Sequence, residues 1–86
     1  MRTLKKIPGG KLLEVEWELD GDAIKHIRIT GDFFAHPEWC IEEIEKALVG
    51  VNVSDAQIKV DEQMIQKNFQ IIGFSSSDLQ SILGGR

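Results

Sequence analysis

One cysteine, two histidines, two prolines and no tyrosine occur in the 86 residues. A lone Cys40 cannot close an internal disulfide, which fits a reducing, cytoplasmic setting. It also cannot supply the several thiolates of an iron–sulfur cluster. His36-x-x-x-Cys40 could put two ligands on one side of a helix start, but zinc takes three or four, and neither CxxC nor HExxH spacing occurs. No metal site is expected. Cys40, beside apolar neighbours, reads as a small core residue. No apolar run approaches the roughly 20 residues of a membrane-spanning helix, so no membrane contact is expected. No serine-nucleophile motif is present, and the acidic residues cluster on what reads as a solvated helix face. No catalytic residue can be assigned, and the chain alone has no visible apparatus for chemistry.

What is present describes one small domain over residues 1–86. The hydrophobic fraction of 42% against 28% charged is a folded, not a disordered, balance. The net charge of −4 is uneven: Arg2, Lys5, Lys6 and Lys11 give the first 13 residues +4, leaving −8 for the remainder. Nucleic-acid binding needs a broad basic footprint, and none is expected here. Residues 1–10 read as a partly flexible basic segment ahead of the domain, either a solvated tail or a docking contact.

Leu13, Val15, Trp17 and Leu19 alternate with Glu14, Glu16 and Glu18, the period of a half-buried strand. Ala23–Thr30 repeats the pattern, and Asp20-Gly21-Asp22 supplies the turn between them. Facing residue 19 with 23 pairs Val15 with Ile27 and Leu13 with Ile29, and sets Glu16 against His26 and Glu14 against Arg28. A helix is expected from Pro37, with Glu38 at its positive end, Ile41, Ile44 and Leu48 as the buried stripe, Glu42, Glu43 and Glu45 facing water, and Gly50 as the stop. Ser54-x-x-Gln57 resembles a capping box and opens a second helix to about Phe69, buried through Ile58, Ile65 and Phe69. The alternation of Ala56, Ile58 and Val60 would suit a strand, but helix is preferred. Ser77 caps a last helix over 78–83. The expected fold is α+β: an antiparallel hairpin or small sheet, with one further strand, carrying two or three helices on one face.

Two elements draw attention as candidate binding groups. Gly9-Gly10-Lys11 can present backbone N–H groups and a point charge to a phosphate or carboxylate. Its spacing is not that of a P-loop and by itself suits a flexible lead into the first strand. In Gly31-Asp32-Phe33-Phe34-Ala35-His36-Pro37, adjacent phenylalanines on extended backbone point opposite ways. One fills the core and the other meets a partner surface or solvent.

The series Lys6-x-Pro8-Gly9-Gly10-Lys11-Leu12-Leu13, the alternating strand, Ile29-x-Gly31-Asp32-Phe33-Phe34-x-x-Pro37-Glu38 and Glu45-x-x-Leu48-x-Gly50 resembles the C-terminal domain of lipoate–protein ligases. The resemblance is strongest from Gly9 to Gly50, and Gly-Asp-Phe-Phe after the hairpin is its most specific part. It implies an accessory domain of an enzyme that activates lipoate with ATP to lipoyl-adenylate and transfers lipoyl to an acceptor lysine. The family's arginine- and glycine-rich motif and its catalytic lysine lie in a large domain and are missing from this sequence. In some lineages, archaea in particular, the small domain is a separate protein that assembles with the large one. The resemblance thus implies a heterodimer in which the large subunit is the direct partner and lipoyl acceptor proteins are indirect ones. ATP, Mg²⁺ and lipoate are used by the complex and none is bound by this chain alone. Adenylation is the step that needs the small domain. Gly9, Gly10, Lys11, Asp32, Phe33, Phe34 and His36 are the candidate partner- and adenylation-supporting residues, with Lys11 near the phosphates or merely starting a strand. A sulfur-transfer or iron–sulfur scaffold and a generic protein-interaction module are the alternatives.

Overall fold

The computed structural model describes residues 1–9 and 11–84. Its elements are β1 (Arg2–Ile7), β2 (Lys11–Asp20), β3 (Ala23–Gly31), β4 (Phe34–His36), α1 (Cys40–Leu48), a 3-10 turn (Val53–Asp55), α2 (Ala56–Gln66), β5 (Gln70–Ile72) and α3 (Ser76–Gly84). One antiparallel sheet has the order β1-β2-β3, and a small second sheet pairs β4 with β5. The α+β class expected from the sequence is the fold observed. No described helix is long and apolar enough to cross a membrane.

The strand over Arg2–Ile7 corrects the expectation of a partly flexible segment over 1–10. Arg2 pairs with Glu16 and Ile7 with Lys11, so β1 is an integral edge of the sheet. Its Thr3, Lys5 and Ile7 turn toward the core side while Arg2, Leu4 and Lys6 stay exposed. The basic charges had masked this period of two.

The β2–β3 register also differs from the expected one. Val15 pairs with Ile29, Trp17 with Ile27, Glu16 with Arg28 and Glu18 with His26, two residues away from the simple hairpin count. The turn is tighter, with Asp20 opposite Ala23, and a bulge beside Glu18 and Leu19 leaves Lys25 without a partner. A slip of two residues keeps every side chain on its face. Leu13, Val15, Trp17, Ile27 and Ile29 are therefore all buried as the alternation requires. The extra residue switches parity, which is how Ile24 joins them inside.

Helix α1 packs on β3, α3 reaches β1, and α2 lies against both. Cys40, Ile44 and Leu48 form the buried stripe of α1, close to expectation, but the helix starts at Cys40 and not at Pro37. The His36–Pro37 peptide is cis. Residues 37–40 form a turn in which the Cys40 N–H donates to the Pro37 carbonyl at 2.9 Å. Glu45 does not simply face water. Its Oε2 accepts from the Ile29 N–H at 2.7 Å in a half-buried contact, closing part of the free edge of β3. Further along that edge, Ile24 exchanges backbone bonds with Val51 and Gly50 at 2.8 and 2.7 Å. Glu45→Ala should leave the Ile29 N–H half-buried and unpaired, at a cost of about 1–2 kcal/mol. Glu45→Gln, which keeps an acceptor, should recover most of that loss in urea denaturation.

Residues 56–60 are helical, as preferred, yet the buried face of α2 is not the one expected. Ala56, Val60 and Gln63 face inward, whereas Ile58 and Ile65 are 64% and 80% exposed. Ile58 with Ile65 and Ala56 with Val60 are both apolar pairs at helical spacing, and the smaller Ala56 and Val60 suit the side packed against α1 and α3. The Ser54 cap is also replaced: Asn52 Oδ1 accepts from the Ser54 N–H at 3.0 Å. Helix α2 ends at Gln66, and left-handed Asn68 turns the chain so that Phe69 is buried from beyond the helix.

Ser75, not Ser77, caps α3. The Ser75 N–H donates to Asp78 Oδ2 at 2.9 Å, and the Asp78 N–H donates to Ser75 Oγ at 3.2 Å, a reciprocal box. The Ser75 N–H bond chiefly, with the Ser75 hydroxyl and Lys5 assisting, holds the Asp78 carboxyl below its ordinary pKa.

Candidate functional site

The site forms where the β1–β2 hairpin tip meets the segment leaving β3. Ile7 opposite Lys11 closes the hairpin, and Gly9 in its loop has φ +102°, a conformation that glycine adopts freely. Gly9 and Lys11 thus sit at a hairpin tip, which gives the Gly-Gly-Lys element a fixed place in the fold. Gly10 lies outside the described residues.

Gly31 ends β3 with φ +147°, and a Cβ there would lie 2.2 Å from the Leu12 carbonyl oxygen. That closeness lets the Asp32 N–H donate to the same carbonyl at 2.9 Å, fastening the loop to the start of β2. The two phenylalanines then part as expected. Phe33 is half-buried and packs edge-to-face on Phe74, with ring centroids 4.9 Å apart. Phe34 points outward on β4, 73% exposed, directly opposite Ile72 on β5, itself 63% exposed. Gly73 makes room for the core phenylalanine, since a Cβ at that position would fall 2.7 Å from the Phe33 Cβ.

The result is an open groove of about 430 Å³ lined by Gly9, Lys11, Gly31, Asp32, Phe33 and Phe34. A second groove of about 740 Å³ continues on the far side of Phe34 between β3 and α1, reaching Arg28, Glu38 and Glu45. Five candidate residues from the sequence, Gly9, Lys11, Asp32, Phe33 and Phe34, therefore converge. His36 does not line either groove; it is exposed on β4, opposite Gln70, on the same face as Phe34. Gly31 was read as part of the Gly-Asp-Phe-Phe element, whereas Gly73, Phe74 and Ile72 were missed as contributors. The signal of Gly73 lies in its close approach to Phe33, a contact that a linear sequence does not display.

No carboxylate lies within ion-pair distance of Lys11 among the described residues, although Asp32 shares the groove. A cation beside glycine-rich backbone and an exposed aromatic can hold an anionic group and seat an apolar surface. No nucleophile–base pair is among these groups. Cys40 is fully buried, and burial pushes its thiol pKa up, which keeps it protonated and unreactive. Among the described residues no three His, Cys, Asp or Glu side chains converge as a metal site.

These elements make a small α+β domain with an open groove at one end of its hairpin, and sequence comparison gives it a family. Residues 1–83 match the family described as bacterial lipoate protein ligase C-terminus, and the chain belongs to that family. It is 45% identical over 42 residues to lipoate-protein ligase A subunit 2 of Thermoplasma acidophilum, a stretch covering 49% of this chain and 45% of the relative. The aligned part thus spans about half the length of that relative. A solved structure from the same organism, described as a bipartite lipoate protein ligase and its E2 lipoyl domain in an archaeal lipoylation system, contains a similar chain. That chain superposes with a TM-score of 0.78 at 28% identity, covering 96% of this chain and 97% of the other.

Proposed function

We propose that this chain is the non-catalytic small subunit of a two-chain lipoate protein ligase, needed with the large subunit for the ATP-dependent activation of lipoate. The observation that carries the reading is the end-to-end likeness to a chain of a bipartite lipoate protein ligase. The family match over residues 1–83 supports it. In adenylation the lipoate carboxylate attacks the α-phosphorus of ATP, pyrophosphate leaves, and a mixed anhydride forms. An acceptor lysine amine then attacks the lipoyl carbonyl and AMP departs. The first step gathers three charged groups, ATP, Mg²⁺ and carboxylate, and must keep water from the anhydride. This chain contributes by covering the large subunit. Phe34 is the apolar contact, and Lys11 is a fixed positive charge near the phosphates. The cytoplasm, where ATP is available and a free Cys40 stays reduced, is the setting that suits the complex.

Reconstitution tests this. Lipoyl-adenylate formation from ATP and lipoate should fall at least about a hundredfold when this chain is omitted, about 2.7 kcal/mol in the barrier. Transfer from preformed lipoyl-adenylate should proceed without it. Equal adenylate formation by the large chain alone would sink the proposal. In the same assay Lys11→Ala should slow adenylation about tenfold with the pair still associated; unchanged kinetics would leave Lys11 a strand residue only. The sulfur-transfer alternative finds no support in the site, since its one thiol is buried and protonated.

A further inference from the structure

The basic N-terminal charges became a strand at the edge of the sheet, and that edge is open. The Met1 amine donates to the Trp17 carbonyl at 2.7 Å and the Trp17 N–H donates back to the Met1 carbonyl at 2.8 Å. This makes Met1–Trp17 a mutually bonded pair, and the antiparallel alternation makes Thr3–Val15, Lys5–Leu13 and Ile7–Lys11 the next ones. The N–H and C=O groups of Arg2, Leu4 and Lys6 consequently point away from β2. Among the described residues no backbone or side-chain group bonds to them. The opposite edge of the sheet is treated differently, since β3 is closed by Glu45, Val51 and Gly50.

We propose that β1 accepts an extended segment of the large ligase subunit as a fourth strand, and that this segment carries an acidic–x–apolar–x–acidic pattern. The inference rests on the two-chain reading above. Arg2, Leu4 and Lys6 all lie on the sheet face that carries no helix, so an added strand places alternate side chains beside them. Leu4 is 55% exposed and stands opposite Glu14, with exposed Leu12, the partner of Lys6, diagonal to it on the same face. Arg2 and Lys6 flank it with positive charge. Arg2 is already bonded to Glu14, whereas Lys6 has no acidic partner among the described residues. Acids at both ends of the pattern therefore complement the edge in either strand direction.

Charge also argues against a second copy as the occupant. Antiparallel pairing of two β1 strands about Leu4 would set Arg2 against Lys6 of the other copy, and parallel pairing would set like residues together. Lysines on an edge commonly block self-association in this way. The same lysines select for an acidic strand.

Backbone amide exchange in the reconstituted pair is the test. The Leu4 and Lys6 amides should gain at least tenfold protection on complex formation. Leu4→Pro removes an N–H that points outward and leaves the Thr3 and Lys5 bonds to β2 intact, so the chain should keep its circular dichroism spectrum. Its affinity for the large subunit should nevertheless drop at least tenfold, with Leu4→Ala weakening it less. Lys6→Glu should weaken binding with a fold that is equally unchanged. A pair that forms with these two amides unprotected overturns the strand addition and leaves the two-chain reading standing, whether or not the proline variant folds. Dimerisation of this chain alone through β1 overturns it too. Failure of the wild-type chains to associate removes the two-chain reading and this inference with it.

Discussion

Gly31→Ala is expected to destabilise this chain by about 3–5 kcal/mol, enough to leave much of so small a domain unfolded at room temperature. Two penalties combine. The backbone sits at φ +147°, where a side chain is strained whatever space surrounds it. The new methyl would also meet the Leu12 carbonyl oxygen at 2.2 Å, and backbone on a paired strand cannot yield as the tip of a side chain would. Relief requires lifting the loop off β2, which breaks the Asp32 N–H bond to that same carbonyl. Gly21→Ala is the natural comparison. Gly21 also has positive φ, +64°, but nothing lies within 4 Å of its Cβ position. That change should cost only about 1 kcal/mol of left-handed strain. Urea denaturation followed by circular dichroism separates the two, and a loss at Gly31 no larger than at Gly21 would refute the close-approach argument.

How much of this was readable in advance depended on whether the signal was local. The β2 alternation, Ile44 and Leu48 in the α1 stripe (where Cys40 is fully buried and the expected Ile41 only half-buried), and the divergence of Phe33 from Phe34 follow from periods of 2 and 3.6 and from the geometry of adjacent residues. All three stand. The register of β2 on β3 failed by two residues: one comes from the tighter turn that sets Asp20 opposite Ala23, and one from a bulge beside Lys25, a tertiary compromise with no residue signature of its own. In α2, Ile58 and Ile65 make an apolar stripe as convincing as that of Ala56 and Val60. Only the positions of α1 and α3 decide which stripe is buried. β1 was hidden for a different reason. A strand at a sheet edge, with one face in water, is permitted more charge than a propensity argument expects.

The candidate site divides the same way. The glycine–lysine and Gly-Asp-Phe-Phe elements stand 20 residues apart in sequence between Lys11 and Gly31, and each alone is a weak motif. Their convergence follows from β2 running out and β3 running back, so the hairpin that was readable is also what assembles the groove. Ile72 was not readable as part of it, because the β4–β5 pairing involves a strand of three residues with no alternation long enough to detect.

Phe33→Ala and Phe34→Ala should therefore have opposite consequences although the residues are neighbours. Phe33 is half-buried and loses both its packing on the core and the edge-to-face contact with Phe74, so its truncation should cost about 2–3 kcal/mol of folding stability. Phe34 is mostly exposed and stands opposite Ile72, and truncation there should change stability by less than about 1 kcal/mol. In the reconstituted ligase the order reverses. An exposed aromatic opposite a second exposed apolar residue is what an interface anchor looks like before its partner arrives, and losing such an anchor costs about 2 kcal/mol or more of association. Phe34→Ala should then weaken the pair by roughly thirtyfold and slow adenylate formation at low subunit concentration, with rates recovering as the subunits are concentrated. Phe33→Ala should bind once folded. Binding isotherms and urea midpoints on both variants resolve this directly. A Phe34→Ala chain that binds with wild-type affinity would move the docking contact away from this groove and leave the β1 edge as the surface to examine.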